Sequence, residues 1–480
     1  MTAEAEPRVS VVITGDGDRA RTSAAVSRQR GVVATLVDET TVLAALASDL
    51  ATVLVLVEAG TTLEPGALRR LVDVIHRFSA AIVYTDSTIQ VAAQTFAIRR
   101  PDFSPLRLLA QDYLGDLVAL DVETAKPLLL AGESRAALSG FALRVEPSRV
   151  VHIPEPLSHR DSPAKVPALD VRRTAVQRRL DDAGVIAEVD TVAPAGVRIR
   201  FPVVGTPLVS IVIPTRGSSA SVRGADRVLV VEAVRSIVET SSYAHIEIVV
   251  VADDGTPSSV IDELERVAGD RLKVVRWSET FNFSAKINRG AAHASGGYLL
   301  LLNDDVEVIS ADWIETMLSL CQQPGIGMVG ANLFFEDGRR QHSGHFYREG
   351  VAGHIAFGWA EDDDDALGSL TSDHEVAGVT AACAMITSSM FRRVGGLSSL
   401  LPGNYNDVDL SLKVRTAGSR IVWTPWARLF HFESQTRVAT STLSESDRLR
   451  GRWGTRMEVD PYWSDLTAPW KSTEGPSRLL

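Results

Sequence analysis

The stretch GYLLLLNDDVEVI, residues 297–309, places an acidic turn directly after a run of leucines. The run is too short to cross a bilayer. An apolar run of this length between turn signals is typical of a strand buried on both faces of a parallel sheet. Open α/β sheets bind ligands at the carboxyl ends of such strands. Asn303, Asp304 and Asp305 therefore lie where the sequence predicts a ligand site.

Two adjacent carboxylates, as in Asp304 and Asp305, repel each other unless a cation neutralises them. An oxygen-rich site of this kind suits Mg²⁺ or Mn²⁺, which often bind one or two carboxylates together with substrate phosphates. The alternative is a structural turn that ends a core strand, with Ser310 or Asp312 capping the next helix. This segment alone favours neither interpretation.

The composition describes a globular protein of ordinary polarity. Its 480 residues suffice for two or more domains, with 45% hydrophobic and 23% charged residues. A net charge of −11 argues against a nucleic-acid partner. Cys321 and Cys383 lie in apolar contexts without metal-ligand spacing, so we expect buried thiols. The sequence shows no signal peptide and no membrane-spanning stretch, so the expected location is the cytoplasm.

Strand-like runs occur twice in the same order, and helical patterns follow each of them. Residues 9–14 correspond to 208–213, and residues 52–57 correspond to 298–302. Strand–helix alternation implies right-handed crossovers and a mostly parallel sheet, so we predict an α/β chain with two Rossmann-like domains in tandem. The boundary is placed near Thr206. The predicted domains are 1–205, which ends in a helical linker, and 206–480, which ends in a helical tail.

Three predicted strands of the second half end in polar or acidic turns. The turns are PTRG at 214–217, ADDGT at 252–256 and NDD at 303–305. A helix is predicted at 225–240, between the first two strands. Because the carboxyl ends of parallel strands meet at one edge of a sheet, these turns together predict a pocket for a nucleoside diphosphate.

Six motifs follow one another along the second half. They are VSIVIPTRG at 209–217, VVVADDGT at 249–256, FNFSAKINRGAAHASGGYLLLLNDDVEVI at 281–309, VAGVTAACAMI at 376–386, NYNDVDLSLKVRTAG at 404–418 and LFHFESQTR at 429–437. In order and spacing they resemble the family-2 glycosyltransferases with a GT-A fold, especially bacterial enzymes that build surface polysaccharides. The resemblance covers nearly all of residues 208–467. Each motif alone is weak, but six in order are strong.

The resemblance implies a donor pocket for a nucleoside-diphosphate sugar. Asp253 is similar to the carboxylate that holds the uracil or thymine base, and Pro214, Thr215 and Arg216 form the adjoining floor. Asp304 falls near the ribose.

The resemblance also implies a Mn²⁺ or Mg²⁺ site and a catalytic base. The family's aspartate–any–aspartate motif falls on residues 303–305, where Asn303 replaces the first acid and leaves Asp305 as the main side-chain metal ligand. His431 resembles the histidine that supplies a second metal ligand. Asp407 matches the base, although Asn406 stands where an acid usually precedes it.

These roles are also reasonable on chemical grounds. In an inverting transfer a carboxylate must take the proton of the acceptor hydroxyl, and Asp407 opens a predicted helix at 407–417. The alternative for Asp407 is an acid favoured by the helix dipole, and for His431 it is a hydrogen-bonded core histidine. Asp409 lies on a different helical face and is given a supporting role.

Three further features of the second half each allow a functional and a structural interpretation. Lys286 lies where a helix start could meet phosphate, or else on a solvated face. His342 and His345 look like a metal pair but lack an obvious third ligand, so we interpret them as a strand and turn lining the acceptor pocket. The acidic run at 361–365 is interpreted as a solvated loop near the acceptor side.

The first half also resembles a GT-A domain, but its chemistry is missing. Glu58 is followed by AGTT where an acidic cluster is expected, and residues 138–142 hold no carboxylate where a base is expected. A metal-dependent transfer cannot easily run on Glu58 alone. We interpret this half as a degenerate domain that packs against the active one or binds acceptor glycan.

The expected function is that of an inverting, metal-dependent glycosyltransferase. It would move a hexosyl or deoxyhexosyl group from a UDP- or dTDP-linked sugar to a growing cell-surface or cell-wall glycan, lipid-linked acceptors included. The alternative is a non-catalytic scaffold that binds nucleotide sugars or glycans. Trp453, Trp463 and Trp470 either pack in the core of a C-terminal helix or contact the inner face of the cell membrane, with core packing preferred.

Overall fold

The computed structural model describes residues 6–38, 41–42, 51–91, 94–129, 145–161, 169–192, 196–365, 367–432 and 443–463. The chain divides into two compact units. The first unit comprises Met1–Ile199, Asp363–Ser372 and Tyr462–Leu480, and the second comprises Arg200–Asp362 and Asp373–Pro461. The assignment of a silent domain to 1–205 and a catalytic domain to 206–480 stays a prediction.

The first unit contains an eight-stranded sheet with its helices. The strands of the unit are β1 Arg8–Thr14, β2 Val33–Val37, β3 Val53–Glu58, β4 Thr62–Leu63, β5 Ile82–Val91, β6 Gln94–Ile98, β7 Leu117–Asp121, β8 Val150–Arg160, and the separate pair β9 Glu188–Val192 and β10 Gly196–Arg200. The helices are α1 Arg19–Ser27, α2 Ala67–Phe78, α3 Pro105–Ala110, α4 Val122–Leu129 and α5 Leu169–Asp182. The sheet order is β2-β1-β3-β7-β5-β8-β4, with β6 beside β5.

Strand β3 is buried on both faces, as its unbroken apolar sequence predicts. Val53, Val55 and Val57 belong to one hydrophobic core, whereas Leu54 and Leu56 belong to another. Successive side chains of a strand point to opposite faces, so this sheet has a core on each side. Complete burial of each such side chain contributes roughly 1.5–3 kcal/mol to folding.

The second unit contains a ten-stranded sheet and two separate strand pairs, β12–β13 and β20–β21. The strands of the unit are β11 Val209–Thr215, β12 Ser219–Val222, β13 Ala225–Val228, β14 Ile246–Asp253, β15 Leu272–Trp277, β16 Tyr298–Leu302, β17 Val306–Val308, β18 Ile326–Phe334, β19 Arg340–His342, β20 His345–Arg348, β21 Val351–His354, β22 His374–Glu375, β23 Cys383–Thr387 and β24 Arg420–His431. The helices are α6 Leu229–Thr240, α7 Ser258–Ala268, α8 Phe283–His293, α9 Trp313–Cys321, α10 Ser388–Arg393, α11 Asn406–Thr416 and α12 Leu443–Trp453. The predicted α/β class is confirmed.

The two large sheets follow the same plan. The path β15-β14-β11-β16-β23-β18-β24-β17 repeats, from β14 onward, the order of the first unit. The pairing directions along the two paths also agree. In the first unit the successive pairs from β2 to β4 are parallel, parallel, antiparallel, antiparallel, parallel and antiparallel. The successive pairs from β14 to β17 in the second unit have the same directions in the same order. This agreement supports the prediction that one plan is used twice.

The helix predicted at 225–240 begins later than expected. Residues 219–228 form the hairpin β12–β13, and α6 starts at Leu229. The turn residues Arg223 and Gly224 have φ values of 51° and 76°. Two consecutive positive φ values match the type I′ turn that fits the twist of a two-residue hairpin.

The interpretation of residues 361–365 as a solvated loop is wrong for its last two acids. Asp364 and Asp365 are buried. Asp365 accepts hydrogen bonds from the backbone N–H groups of Leu367 and Ser369, and Asp364 accepts one from Leu370. These carboxylates satisfy backbone donors at the start of a short 3₁₀ helix, which explains why they lie inside.

The remaining expectations concern the two cysteines, the C-terminal tryptophans and membrane-spanning helices. Cys321 and Cys383 are both buried, as predicted. Trp453 packs in a hydrophobic cluster with Leu412 and Met457, whereas Trp470 lies outside the described residues. Within the described part of the chain, no helix has the length and apolarity needed to cross a membrane.

We predict that Gly290→Ala lowers the free energy of unfolding by about 1–3 kcal/mol, which is typical of overpacking. A Cβ atom at Gly290 in α8 would lie 2.4 Å from Cγ1 of Val212 and 2.8 Å from Cγ2 of Val251. The matched control is Gly451→Ala in α12, where a Cβ meets nothing within 4 Å. It should be neutral or stabilising by about 0.4–1 kcal/mol. Urea unfolding midpoints test this, and an unchanged midpoint for Gly290→Ala would contradict it.

Candidate functional site

The predicted site residues lie at one edge of the second unit's sheet. Strands β14, β11 and β16 are parallel neighbours, so their carboxyl ends meet there. Thr215 is the last residue of β11, Asp253 is the last of β14, and Asn303 follows β16 directly. Side chains from three strands thereby converge where open α/β sheets bind their ligands.

Lys286 on α8 joins two of these strand ends. Its Nζ donates to Oδ1 of Asp253 and to the backbone oxygen of Thr215, both at 2.7 Å. The Lys286 side chain is only 2% exposed, whereas that of Asp253 is 29% exposed. A buried ammonium group requires such charged and carbonyl partners. The interpretation of Lys286 as part of a solvated face is therefore wrong, and the side chain holds Asp253 in place. A contact with phosphate stays a prediction.

Thr215 and Asp304 form the next link along this edge. The Thr215 hydroxyl donates to Oδ2 of Asp304 at 2.6 Å and accepts from the backbone N–H of Gly217 at 2.9 Å. Burial, followed by the negative charge of Asp305, raises the pKa of Asp304 to about 6. Pro214 is buried in β11, and Arg216 is exposed with its Nε donating to the hydroxyl of Ser218.

Strand pairing brings His431 to Asp305. Short strand β17 runs antiparallel to β24 and sets Val306 opposite His431. The backbone N–H of Phe432 donates to the Asp305 carbonyl at 2.9 Å, and Nε2 of His431 lies 3.2 Å from Oδ1 of Asp305. Burial is the largest influence on the pKa of Asp305 and would raise it, but the attraction of a protonated His431 and hydrogen bonds from His431, Asn303 and the backbone together lower this pKa.

Gln341 on β19 orients the His431 ring. Oε1 of Gln341 lies 2.5 Å from Nδ1 of His431, and Nε2 of Gln341 donates to the backbone oxygen of His431 at 3.2 Å. The amide oxygen can only accept, so Nδ1 of His431 is the donor. The other ring nitrogen, Nε2, therefore faces Asn303 and Asp305, as in metal sites where an outer partner fixes the tautomer of a histidine ligand.

The groups around Nε2 of His431 fit a divalent cation once the Asn303 amide, whose Nδ2 lies 3.0 Å from Nε2, turns its oxygen inward. Among the described residues, Oδ1 of Asn303 and Oδ1 of Asp305 are buried oxygens without a hydrogen-bond donor. A neutral imidazole nitrogen and a carboxylate oxygen 3.2 Å apart both present lone pairs, so a proton or a cation must lie between them. Carboxylate, amide oxygen and imidazole suit Mn²⁺ or Mg²⁺, with imidazole favouring Mn²⁺.

Asp407 lies in the first turn of α11, after Tyr405 with its positive φ of 61°. Its side chain is 19% exposed. Oδ1 accepts from the backbone N–H of Val408 at 2.8 Å, and Oδ2 accepts from that of Ala381 at 3.4 Å. The neighbouring Ala382 accepts from the backbone N–H of Asn303 at 3.0 Å. Asp407 and Asn303, the first residue of the acidic turn, thus make hydrogen bonds to the consecutive residues Ala381 and Ala382.

Asp409 has a structural role. It is buried, and its oxygens lie 2.7 Å from Nζ of Lys413 and 3.0 Å from Nη1 of Arg452. The indole N–H of Trp453 also donates to it at 2.8 Å. A carboxylate held by three donors away from solvent ties α11 to α12 and is not placed to meet a substrate.

A cavity of about 320 Å³ borders His431. It is lined by three aromatic rings, three charged side chains and a glycine besides the histidine: Phe335, Phe357, Phe432, Glu336, Asp337, Arg339, Gly358 and His431. Small-molecule sites are concave and combine apolar walls with a few polar groups.

The sequence profile described as "Glycosyl transferase family 2" matches residues 210–395. These residues belong to glycosyl transferase family 2. The match contains Thr215, Asp253 and the 303–305 turn, whereas Asp407 and His431 follow it along the chain.

Two curated proteins resemble most of the chain. The uncharacterised protein y4gI of Sinorhizobium fredii (strain NBRC 101917 / NGR234) is 33% identical over 433 residues, covering 84% of this chain and 47% of that protein. The O-antigen biosynthesis protein RfbC of Myxococcus xanthus is 30% identical over 437 residues, covering 87% of this chain and 32% of that protein. The chain thus spans half or less of these relatives' length.

Similar solved structures include two glycosyltransferases bound to nucleotide and Mn²⁺. The structure of GalNAc-T7 with UDP, GalNAc and Mn²⁺ has a TM-score of 0.42 at 15% identity, covering 52% of this chain and 48% of that one. The mannosyltransferase PcManGT from Pyrobaculum calidifontis, with GDP-Man and Mn²⁺, has a TM-score of 0.35 at 15% identity, covering 54% and 64%. At this level of likeness neither structure bears on the ligands of this chain.

The equivalent edge of the first unit is closed by its own loop. The hydroxyl of Thr14 donates to Oε2 of Glu58 at 3.1 Å. A Cβ at Gly15 would lie 2.2 Å from Oε1 of Glu58, and one at Gly17 would lie 2.3 Å from the backbone oxygen of Ala59. The loop after β1 therefore lies directly on the end of β3. Residues 138–142, where a base was sought, lie outside the described residues.

Sequence reasoning missed Gln341 and misjudged Lys286, because both act through contacts between distant strands and helices. The family context quoted for His431 also includes Glu433 and Ser434, which lie outside the described residues. The roles of Pro214, Arg216 and Asp253 in nucleotide binding stay predictions.

We predict that the metal-free protein loses stability as pH rises towards 6 because of Asp304. A carboxyl whose folded pKa is about 6, above the ordinary 3.8, binds protons more tightly in the folded state. Its contribution is complete below the ordinary pKa and disappears as pH rises through 6. Asp304→Asn removes this term, so its melting temperature relative to wild type should increase from pH 4.5 to 7. The comparison is made in EDTA without nucleotide, and a pH-independent difference would contradict the prediction.

Proposed function

We propose that this protein is an inverting glycosyltransferase that uses a UDP- or dTDP-linked sugar as donor. The observation that carries the proposal is the convergence of Asp304, Asp305 and His431 at one sheet edge, with two buried oxygens lacking donors. Membership of residues 210–395 in family 2 supports the same reaction. Neither feature is needed by a protein that only binds glycans.

The donor nucleotide is proposed to lie along the ends of β11 and β14. Asp253 would accept from the N–H of the uracil or thymine base, and its contact with Lys286 keeps it in position. Pro214, Thr215 and Arg216 would form the floor, and Asp304 would contact the ribose. The Thr215 hydroxyl, which already bonds Asp304, holds this acid at the pocket.

Asp305 and His431 would hold a Mn²⁺ or Mg²⁺ ion. When bound, the ion neutralises the diphosphate as it departs from the sugar. The residues of the chain contribute position: Gln341 orients His431, and the β17–β24 pairing fixes the spacing between His431 and Asp305. A prearranged site avoids reorganisation at the moment of reaction.

Asp407 is proposed as the general base. The acceptor hydroxyl oxygen forms a bond to the anomeric carbon while the bond from that carbon to the diphosphate breaks on the opposite face. The hydroxyl proton passes to the Asp407 carboxylate, and the nucleoside diphosphate leaves with the bonding electron pair. The partial exposure of Asp407 permits this contact, whereas Asp409 is sealed by its three donors.

The acceptor is proposed to be a growing cell-surface or cell-wall glycan. The name of the Myxococcus xanthus relative, an O-antigen biosynthesis protein, supports this class. The aromatic cavity beside His431 offers walls on which sugar rings can stack. Transfer of a hexosyl or deoxyhexosyl group, a lipid-linked acceptor, and a place in the cytoplasm or at the inner membrane face belong to the same proposal.

We predict that Asp305→Ala abolishes transfer and removes the Mn²⁺ dependence of nucleoside-diphosphate binding. Its carboxylate is the charged ligand of the proposed ion, and the neighbouring Asp304 carboxylate is held by the Thr215 hydroxyl. Transfer and nucleotide affinity are measured with Mn²⁺ and with EDTA. The control is Glu307→Gln, two residues along, whose exposed ion pair with Arg223 should matter little. Full wild-type activity in EDTA would exclude the metal.

Asp407→Asn separates an enzyme from a scaffold. The amide keeps the shape of the carboxylate but cannot take the proton, so turnover should fall by roughly 10²–10⁴-fold with unchanged donor affinity. A helix-dipole role alone predicts kept turnover and a loss of about 0.3–1 kcal/mol in stability.

The matched comparison is Asp409→Asn. It weakens a buried ion-pair network, so it should lower the melting temperature more than Asp407→Asn does while the folded fraction keeps its turnover. If wild-type protein binds nucleotide sugars but neither transfers nor hydrolyses any of a panel, the scaffold alternative replaces the proposal.

A further inference from the structure

Three histidines form a buried cluster outside the proposed active site. His342 ends β19, His345 begins β20 and His354 ends β21. One ring nitrogen of each lies within 4.8 Å of the other two, and the ring centroids are 4.8–5.2 Å apart. His342 and His345 are almost completely buried, and His354 is half-buried.

The backbone fixes these three positions. His345 and His354 are direct partners in the antiparallel β20–β21 ladder. His342 and His345 are separated by a tight turn in which Gly344 has a φ of 105°. A Cβ at Gly344 would lie 2.8 Å from Cγ1 of Val376, so this turn accepts only glycine. The cluster is therefore built from regular structure and does not depend on a loose loop.

Among the described residues, the hydrogen bonds of the cluster leave one ring nitrogen without a partner. Nδ1 of His354 lies 3.3 Å from Nδ1 of His342 and 3.2 Å from the backbone oxygen of Gln341. Nδ1 of His345 is buried and has no hydrogen-bond partner among the described residues. Burial lowers the pKa of His345 to about 4, although Asp407 opposes the shift, and burial with the neighbouring histidines lowers that of His342. Neutral imidazole is the form that binds metals.

We propose that His342, His345 and His354 bind a single divalent transition-metal ion of the Zn²⁺ or Co²⁺ type. Metal–nitrogen bonds of about 2.0–2.1 Å in tetrahedral geometry place ligand atoms roughly 3.3–3.4 Å apart. The Nδ1 atoms of His342 and His354 already have this separation. Three imidazoles without a carboxylate favour Zn²⁺, Co²⁺ or Ni²⁺ over Mg²⁺, so this site differs in chemistry from that of Asp305.

Two existing contacts must change when the ion binds. Nδ1 of His354 lies 3.2 Å from the backbone oxygen of Gln341, to which a protonated Nδ1 donates and a metal-bound Nδ1 cannot. The backbone N–H of Thr380 donates to Nε2 of His342 at 3.1 Å. Metal on Nδ1 leaves Nε2 protonated, so it can no longer accept this hydrogen bond. Thr380 precedes Ala381, whose N–H contacts Asp407, and Nε2 of His345 lies 3.9 Å from Oδ2 of Asp407. The ion would therefore clamp the β19–β21 region beside the proposed base.

The test uses the full chain stripped with EDTA and titrated with Co²⁺ in excess Mg²⁺, which competes with Co²⁺ for the carboxylate-bearing Asp305 site. We expect uptake of a single Co²⁺ per chain, absorption bands of four-coordinate Co²⁺, and a higher melting temperature. His354→Ala and His345→Gln should weaken Co²⁺ binding by roughly 10–100-fold or more. Asp305→Ala and His293→Ala, the latter an exposed histidine outside the cluster, should bind as wild type does.

The proposal is overturned if wild type takes up no Co²⁺, or if both cluster variants bind as tightly as wild type. Loss of binding in His293→Ala would assign the ion to surface histidines and also overturn it. X-ray absorption of the Co²⁺-loaded wild type counts imidazole ligands, so the proposal stays testable if a variant does not fold. None of these readouts requires transferase activity, and their failure is therefore distinct from failure of the proposed function.

Discussion

The repulsion between two adjacent carboxylates, Asp304 and Asp305, is the constraint around which the second unit's sheet edge is arranged. Burial makes this repulsion expensive, because little water remains to screen the charges. Each acid has its own partner. Thr215 donates to Asp304, whose pKa is raised, and His431 faces Asp305, whose pKa is lowered. The pKa values of the two acids are thus shifted in opposite directions, which suits the roles proposed for them, contact with a sugar hydroxyl and binding of a cation.

A three-residue segment before β23 supports the remaining groups. Thr380 donates to His342, Ala381 donates to Asp407, and Ala382 accepts from Asn303. All three contacts use backbone atoms of the segment, so they need no hydrogen-bonding group in its side chains. Small residues at 381 and 382 leave room for this close approach, and a bulky replacement there would disturb several groups at once.

The features that the sequence predicted are local, and those it missed depend on register. The leucine strand, its acidic turn and the order of strands are visible in short windows, because burial on both faces requires an unbroken apolar run. Asp407 and His431 needed the family, since neither shows in its own window what it will face. The hairpin at 219–228 was missed because Arg223 rarely adopts positive φ. Gln341 and His354 became visible only once strand pairing placed them beside His431 and His342.

The first unit is built from segments that are far apart in the chain, which affects its folding during translation. That unit includes Asp363–Ser372, a segment translated long after the strands of its own sheet. Gln111 donates to the backbone oxygen of Leu367, and the buried Asp365 organises the turn around it. A ribosome-bound chain that has emerged only to residue 199 therefore lacks this part of the unit, which is completed only after residues 200–362 have been synthesised. Incompletely folded intermediates of this kind are the species that chaperones protect during translation. A gene fragment cut between the two halves would carry the same defect permanently.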